Sequence, residues 1–293
     1  ESGEGENQEL CADWVRYRDD TRLVHYESVS YLIEAGIFCE DEHQKDTISD
    51  VTSVMYPDLC DLEDYGKSEN PKPMFLCEYC HSMGLGPGDI TDYWKIINRY
   101  PNLIGGTIWE WCDHSVRQID DNGRPFFVYG GYFGERPHDD NFCADGLVNP
   151  DRLPSSGLLE VKKAQQPVSV TAVDLDIGRI QVENRYAFLT LSHLTLLWSV
   201  SRGGREVAKG ELPELQLPPR SSCEIVIDYF LPAVDTEEYF LDIRFELRAD
   251  TPYAARGWEV AFEQFQLPVT LAQRPVPNLS CYNALELTDG PRF

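Results

Sequence analysis

The sequence predicts a mixed α/β region followed by an all-β region, specifically the C-terminal half of a (β/α)8 TIM barrel and then an immunoglobulin-like β-sandwich. Two observations carry this expectation. Through about residue 166, short apolar runs alternate with stretches of helical spacing, and each run ends in polar or aromatic residues. From Val168 onward the apolar period changes to two, the period of half-buried strands. The domains expected are 1–166 (half-barrel), 167–268 (sandwich) and 269–293 (a linker and the start of a truncated further β-domain).

In order, Leu10, Cys11, Trp14 and Val15 have helical spacing over 7–18, with Asn7 a candidate N-cap. Residues 23–27 and 51–56 read as short strands, the second closed by Pro57. The run Met74-Phe75-Leu76-Cys77 after Pro71 and Pro73 reads as a fully buried strand. A helix is expected over 90–100, with Tyr93, Trp94, Ile96 and Ile97 on its face, and a strand over 103–109. Strand and helix alternating at this spacing build parallel α/β units. The four strands end in Tyr26-Glu27, Tyr56, Glu78 and Trp109. A whole eight-stranded barrel takes about 250 residues, so its first half is expected to lie outside this chain.

Asp120-Asp121-Asn122-Gly123 is a turn signal. The glycine- and aromatic-rich segment 125–150 after it reads equally as a packed surface loop or as a lid over a ligand. Alternation then marks strands around Val168-Val170, Ile180-Val182, Leu189-Leu191, Leu194-Val200, Cys223-Tyr229, Tyr239-Leu247 and 258–265. This region carries no cluster of His, Cys or acids that suggests catalysis, which points to a supporting role.

Fifty acidic residues against 25 basic ones give a formal net charge of −25. Such a chain is repelled by phosphate backbones and anionic lipid, so nucleic acid and membrane are not expected partners. The nine cysteines are odd in number and irregularly spaced, as in the reduced thiols of a cytoplasmic protein. Cys77 and Cys80 have the spacing of half a zinc site, but no second pair completes it.

The strongest chemical signal is Leu76-Cys77-Glu78-Tyr79-Cys80-His81-Ser82-Met83-Gly84. A carboxylate, a phenol and an imidazole there follow a buried parallel strand, at the sheet end where α/β proteins keep their active sites. Taken singly, Trp109, Trp111 and Tyr79 would more often be core aromatics, and His81 a structural histidine. Glu27 and Glu110, also at strand ends, read as structural or supporting residues.

That stretch, with Tyr93-Trp94, Tyr100-Pro101, Gly105-Gly106, Trp109-Glu110-Trp111-Cys112-Asp113, Tyr129-Gly130-Gly131, Phe142-Cys143 and Asp145-Gly146-Leu147-Val148, resembles glycoside hydrolase family 2, the family of bacterial β-galactosidases. The resemblance runs in order along nearly the whole chain. It implies that Glu78 is a nucleophile, Tyr56 its hydrogen-bonding tyrosine, His81 a galactose contact and Trp109 the aromatic floor under the sugar. Glu1-Ser2-Gly3 matches the end of the family's Asn-Glu-Ser-Gly motif, which makes Glu1 the acid/base and a Mg2+ ligand. Phe142, through its carbonyl, and Asp145 match a monovalent cation site (Na+ or K+) that also serves the substrate. Asp145 stands where Asn is common, and Glu4 where an aromatic or His is usual. The implied partners are β-galactosides such as lactose, with a homo-oligomer for the full-length protein.

A retaining glycosidase needs one carboxylate to attack and a second carboxyl, about 5–5.5 Å away, to donate and then accept a proton. The expectation is therefore part of a retaining exo-β-galactosidase, inactive as an isolated chain. The alternatives are a non-catalytic half-barrel and sandwich module with an assembly or weak sugar-binding role, or another family 2 exo-glycosidase such as a β-glucuronidase.

Overall fold

The computed structural model describes residues 6–27, 49–70, 72–212 and 214–272. Contacts divide the chain into two units, Glu1–Gln165 and Gln166–Phe293.

The first unit is mixed α/β. Strands β1 (Thr52–Met55), β2 (Met74–Tyr79) and β3 (Leu103–Ile108) form a parallel sheet in the order β1-β2-β3. Helix α2 (Leu59–Lys67) connects the first two strands and α3 (Ile90–Ile97) the next two. Helix α1 (Glu6–Arg18) precedes them, and α4 (Ser156–Ala164) closes the unit, with the Ser155 hydroxyl accepting from Leu158 N–H as its N-cap. The core is apolar in the way the sequence pattern requires. Leu62 of α2, Met74, Leu76 and Tyr79 of β2, Ile90, Ile96 and Ile97 of α3, Leu103 of β3 and Val161 of α4 are all buried in one cluster. Each such aliphatic side chain contributes roughly 1.5–3 kcal/mol by leaving water. The Tyr79 ring is fully buried, and its hydroxyl accepts from Trp94 Nε1 at 2.9 Å. Gly106 makes room for it: a Cβ there would lie 2.6 Å from Leu76 Cβ and 3.0 Å from Tyr79 Cε1.

Two local expectations change. Residues 23–26 form no strand, because Val24 N–H is taken by the Asp50 carboxylate at 2.7 Å instead of a neighbouring main chain. Within 125–150 there is regular structure: β4 (Val116–Ile119) and β5 (Pro125–Val128) form an antiparallel hairpin around the Asp120–Gly123 turn. The rest of that segment consists of turns and a short return of chain.

The second unit is all-β. Strands β6 (Val168–Asp174), β7 (Arg179–Asn184) and β10 (Ser221–Val226) form one antiparallel sheet in the order β10-β7-β6. Strands β8 (Leu194–Arg202), β9 (Arg205–Leu212), β12 (Tyr239–Leu247) and β13 (Glu259–Gln266) form another, ordered β13-β12-β8-β9. A parallel pair, β11 (Val234–Asp235) and β14 (Thr270–Leu271), lies apart from both. Alternate residues of β12, from Tyr239 to Leu247, are buried with Val168, Val170, Ile180 and Val182 of the other sheet in a single core. Leu191 falls in a short 3-10 turn and not in a strand.

Asn184, fully buried at the end of β7, fastens this core to its loops. Its Nδ2 lies 2.8 Å from Leu189 O and 3.0 Å from both Leu217 O and Pro218 O, while Oδ1 accepts from Tyr186 N–H at 3.0 Å. No described helix is long and apolar enough to cross a membrane.

Candidate active site

The three parallel strands deliver their last residues to one end of the sheet. Tyr56 follows β1, Glu78 is the penultimate residue of β2, His81 and Ser82 follow β2, and Trp109 follows β3. Tyr56 N–H donates to Glu78 O at 2.9 Å, so the two residues are held side by side through their main chains. Their side chains meet as well. The Tyr56 phenol is pushed well above its usual range, first by burial and then by its hydrogen bond to the Glu78 carboxylate and that group's charge. The phenol therefore stays protonated at neutral pH, a donor aimed at an acceptor.

Tyr56 has φ 47° and Cys80 φ 49°, left-handed values that cost a residue with a Cβ roughly 1–2 kcal/mol. Such strain persists where surrounding structure over-determines it, and it collects at functional sites. Here the two residues flank Glu78 on adjacent strands.

A second group of side chains centres on Asp145, which is only 3% exposed. Trp109 Nε1 donates to Asp145 Oδ2 at 3.0 Å, and His81 Nε2 lies 3.6 Å from the same oxygen. His81 Nδ1 accepts from Met83 N–H at 3.4 Å, which puts the ring proton on Nε2. The His81 ring leans on Phe142 with centroids 5.6 Å apart. Asp145 Oδ1 and His81 Nε2 are both buried without a hydrogen-bond partner, and such atoms call for an explanation. The charge of Asp145 also helps to raise the Tyr56 phenol, and Tyr56, Glu78, His81 and Trp109 all lie at the same ends of β1, β2 and β3.

Residues the sequence pattern did not single out hold this arrangement. The Ser82 hydroxyl donates to Asp145 O, and Ser82 N–H to Trp109 O at 2.7 Å. Asp113 Oδ1 accepts from Gly146 N–H at 2.7 Å. Gly146 must be glycine, since a Cβ would sit 2.1 Å from Asp113 N. Main-chain bonds from Glu110 N–H to Asp145 O (3.2 Å) and from Leu147 N–H to Glu110 O (2.9 Å) complete the join. Glu110 also faces the site: burial, and then the neighbouring Asp145 carboxylate, push its carboxyl above the ordinary range, and His114 Nε2 lies 3.4 Å from it. The proximity of Glu110 to Asp145 has no periodic signature, so only the fold reveals it.

The family model described as "Glycosyl hydrolases family 2, TIM barrel domain" matches residues 1–170. The chain belongs to glycoside hydrolase family 2. The model described as "Beta-galactosidase, domain 4" matches residues 180–268. A β-galactosidase of Priestia megaterium is 38% identical over 278 residues, covering 94% of this chain and 26% of that protein. One of Actinobacillus pleuropneumoniae is 38% identical over 268 residues, covering 91% of this chain and 25% of that protein. The chain thus spans about a quarter of the length of these relatives. A solved β-glucuronidase 2 of Bacteroides uniformis, bound covalently to cyclophellitol-6-carboxylate aziridine, aligns with TM-score 0.31 and 14% identity, over 90% of this chain and 31% of that one.

Of the family-derived site residues, Tyr56, Glu78, His81, Trp109, Phe142 and Asp145 come together as described, and Glu1 lies outside the described residues. Asp145 Oδ1, a buried carboxylate oxygen with no donor, is the kind of atom a cation satisfies. Cys77 is half-buried and Cys80 buried, both as free thiols. Among the described residues, the one cluster of metal-ligating type is the exposed Asp58, Cys60 and Asp61, far in sequence from these two.

Proposed function

We propose that this chain forms part of a retaining exo-β-galactosidase, with Glu78 as nucleophile and Glu1 as acid/base. The observation that supports it best is Tyr56 held beside Glu78 at the ends of adjacent parallel strands, its N–H on Glu78 O at 2.9 Å and its phenol raised by the Glu78 carboxylate, in a chain of family 2. Glu78 attacks the anomeric carbon as Glu1 protonates the departing glycosidic oxygen, giving a galactosyl ester on Glu78. Glu1 then takes a proton from water, which attacks the anomeric carbon and releases galactose and the Glu78 carboxylate. The Tyr56 hydrogen bond orients the carboxylate and stabilises it when it leaves.

The half-exposed indole of Trp109 serves as a platform for the apolar face of the sugar. Its own N–H is tied to Asp145, which fixes the ring. His81 offers its Nε2 proton to a sugar hydroxyl. Asp145, together with the Phe142 carbonyl, would hold a monovalent cation, which supplies a positive contact for a substrate oxygen. Glu1 would hold Mg2+. The relatives named β-galactosidase support a neutral galactoside such as lactose as the substrate. We read the all-β unit as an immunoglobulin-like sandwich that supports the barrel, in a cytoplasmic homo-oligomer.

In the intact gene product, Glu78→Gln is expected to abolish turnover of a chromogenic galactoside without changing the melting curve. Retained turnover would overturn the assignment. Parental hydrolysis of a glucuronide in preference to the galactoside would overturn the substrate class alone.

A further inference from the structure

The strand that carries Glu78 is not regular. On its β1 side the register runs Thr52↔Met74, Ser53↔Phe75, Val54↔Leu76, and then jumps to Met55↔Glu78. On its β3 side it runs Leu76↔Gly106 and then Tyr79↔Ile108. Cys77 has no partner in either register. It is the extra residue of a bulge, a device that bends a strand and re-aims the side chains beside it. The burial pattern shows the effect. Leu76 and Tyr79 are buried, while Cys77 and Glu78 in succession are both half-buried, so the two share the open side of the sheet. Without the extra residue, strict alternation would send every side chain after it to the opposite face.

Both neighbouring strands grip this extra residue. From β3, the Thr107 hydroxyl donates to Cys77 O. From β1, the fully buried Ser53 hydroxyl faces the Cys77 thiol and opposes the rise that burial imposes on it. Ser53 is itself seated: its Oγ lies 2.7 Å from His25 Nε2, and the His25 ring stands edge-on to Phe75, centroids 5.6 Å apart at 84°. Burial pushes the His25 imidazole down, so the ring is neutral at pH 7 and keeps its place in the chain of bonds. Burial pushes the Cys77 thiol up, so it stays protonated.

We propose that Thr107 and Ser53, the latter seated by His25, clamp the bulged Cys77 between β3 and β1 and thereby set the direction of the Glu78 carboxylate. They are positioning residues for the nucleophile, and the inference rests on the assignment of Glu78 to that role. Thr107 acts through its hydrogen bond to Cys77 O and Ser53 through its approach to the Cys77 thiol, and neither need touch the sugar. Loss of a clamp bond should therefore slow attack on the anomeric carbon while leaving sugar affinity nearly unchanged.

The test uses the intact gene product and an activated 2-deoxy-2-fluoro-β-galactoside, which traps the glycosyl ester on the nucleophile. The rate constant of labelling, normalised to titrated active sites, is measured with mass-spectrometric location of the label. Thr107→Val, which keeps the shape and removes the hydroxyl, is expected to lower that rate constant about 10- to 100-fold, as a small misplacement of a reacting group does. Thr107→Ser, which restores the hydroxyl, should return it to within about threefold, and the reagent concentration for half-maximal labelling should shift by less than that in both. Ser53→Ala should slow labelling in the same way. Labelling at the parental rate in Thr107→Val, or an equal fall in Thr107→Ser, would overturn the clamp. If Thr107→Val does not fold, Ser53→Ala decides: parental labelling there overturns the clamp, and slow labelling at an unchanged half-maximal reagent concentration supports it. An active Glu78→Gln overturns the nucleophile and the clamp together. An inactive Glu78→Gln beside an unaffected Thr107→Val overturns the clamp only.

Discussion

Replacing Tyr56 by Phe removes one oxygen atom from the site and little else. The main-chain bond from residue 56 to Glu78 O, 2.9 Å, does not involve the phenol and survives the change. What is lost is a hydrogen bond from a protonated phenol to a carboxylate, a charged acceptor, which is worth about 1.5–3 kcal/mol. Tyr56 is 43% exposed, so water replaces part of that bond and the lower half of the range applies. At 1.36 kcal/mol per decade, the expected loss is about 13- to 45-fold. The loss should fall on one step. In the glycosyl ester Glu78 carries no charge, and negative charge returns to it as water attacks. The phenol therefore stabilises the transition state for release more than the ester itself. Release should become rate-limiting, kcat should fall, and KM should fall with it. Stopped-flow release of a chromogenic aglycone from the intact gene product should show a burst equal to the enzyme concentration, followed by slow turnover. A kcat within about threefold of the parent would refute the reasoning. So would a slow variant with no burst.

Three further outcomes test the framework around the site. Asn184→Ala leaves the Leu189, Leu217 and Pro218 carbonyls and Tyr186 N–H without their side-chain partner, which should cost about 3 kcal/mol and lower the urea midpoint of the all-β unit. Gly106→Ala drives a methyl to 2.6 Å from Leu76 Cβ and 2.7 Å from Leu76 O, and should destabilise the α/β unit by about 1–3 kcal/mol. Gly88→Ala, with nothing within 4 Å of the new methyl, is the control and should melt as the parent does. Burial holds the His25 pKa below its unfolded value. The neutral ring's contribution is therefore present above about pH 6.5 and is lost as pH falls through the folded value. Between pH 7 and pH 5, His25→Gln should lose less stability than the parent in denaturant titrations, and equal losses would exclude burial of His25 as a source of acid sensitivity.

Much of this fold was legible because burial imposes a period. Tyr239–Leu247 shows the two-residue period and is one strand from end to end. Ile90, Ile96 and Ile97 carry the helical one. Periodicity fails where a side chain does the work of a main chain. Leu23 and Val24 look like strand residues, but a carboxylate takes the Val24 N–H that a ladder would have used. It fails again at the bulge, since an extra residue is defined only by the strands on either side. In the site, Tyr56, Glu78 and Trp109 could be found as chemically active residues at strand ends. Ser82 and Asp113 could not, and Glu110 could be found only as a supporting strand-end residue, because their roles come from a loop that returns from far along the chain.

The manner in which that loop is fastened has a consequence for engineering. Main-chain groups tie it to residues 110–114: Asp113 N–H to Val148 O at 3.0 Å, Val148 N–H to Trp111 O at 2.9 Å, and His114 N–H to Cys143 O at 2.8 Å. Such bonds do not depend on which side chain a residue carries, proline apart, since it has no N–H to donate. Positions 112, 114, 143 and 144 can therefore be randomised in a library while Asp145 keeps its place, provided that Asp113 and Gly146 are held fixed. Variation in that window reshapes the wall of the site without dismantling its frame, which makes it a tolerant place from which to select for new sugars.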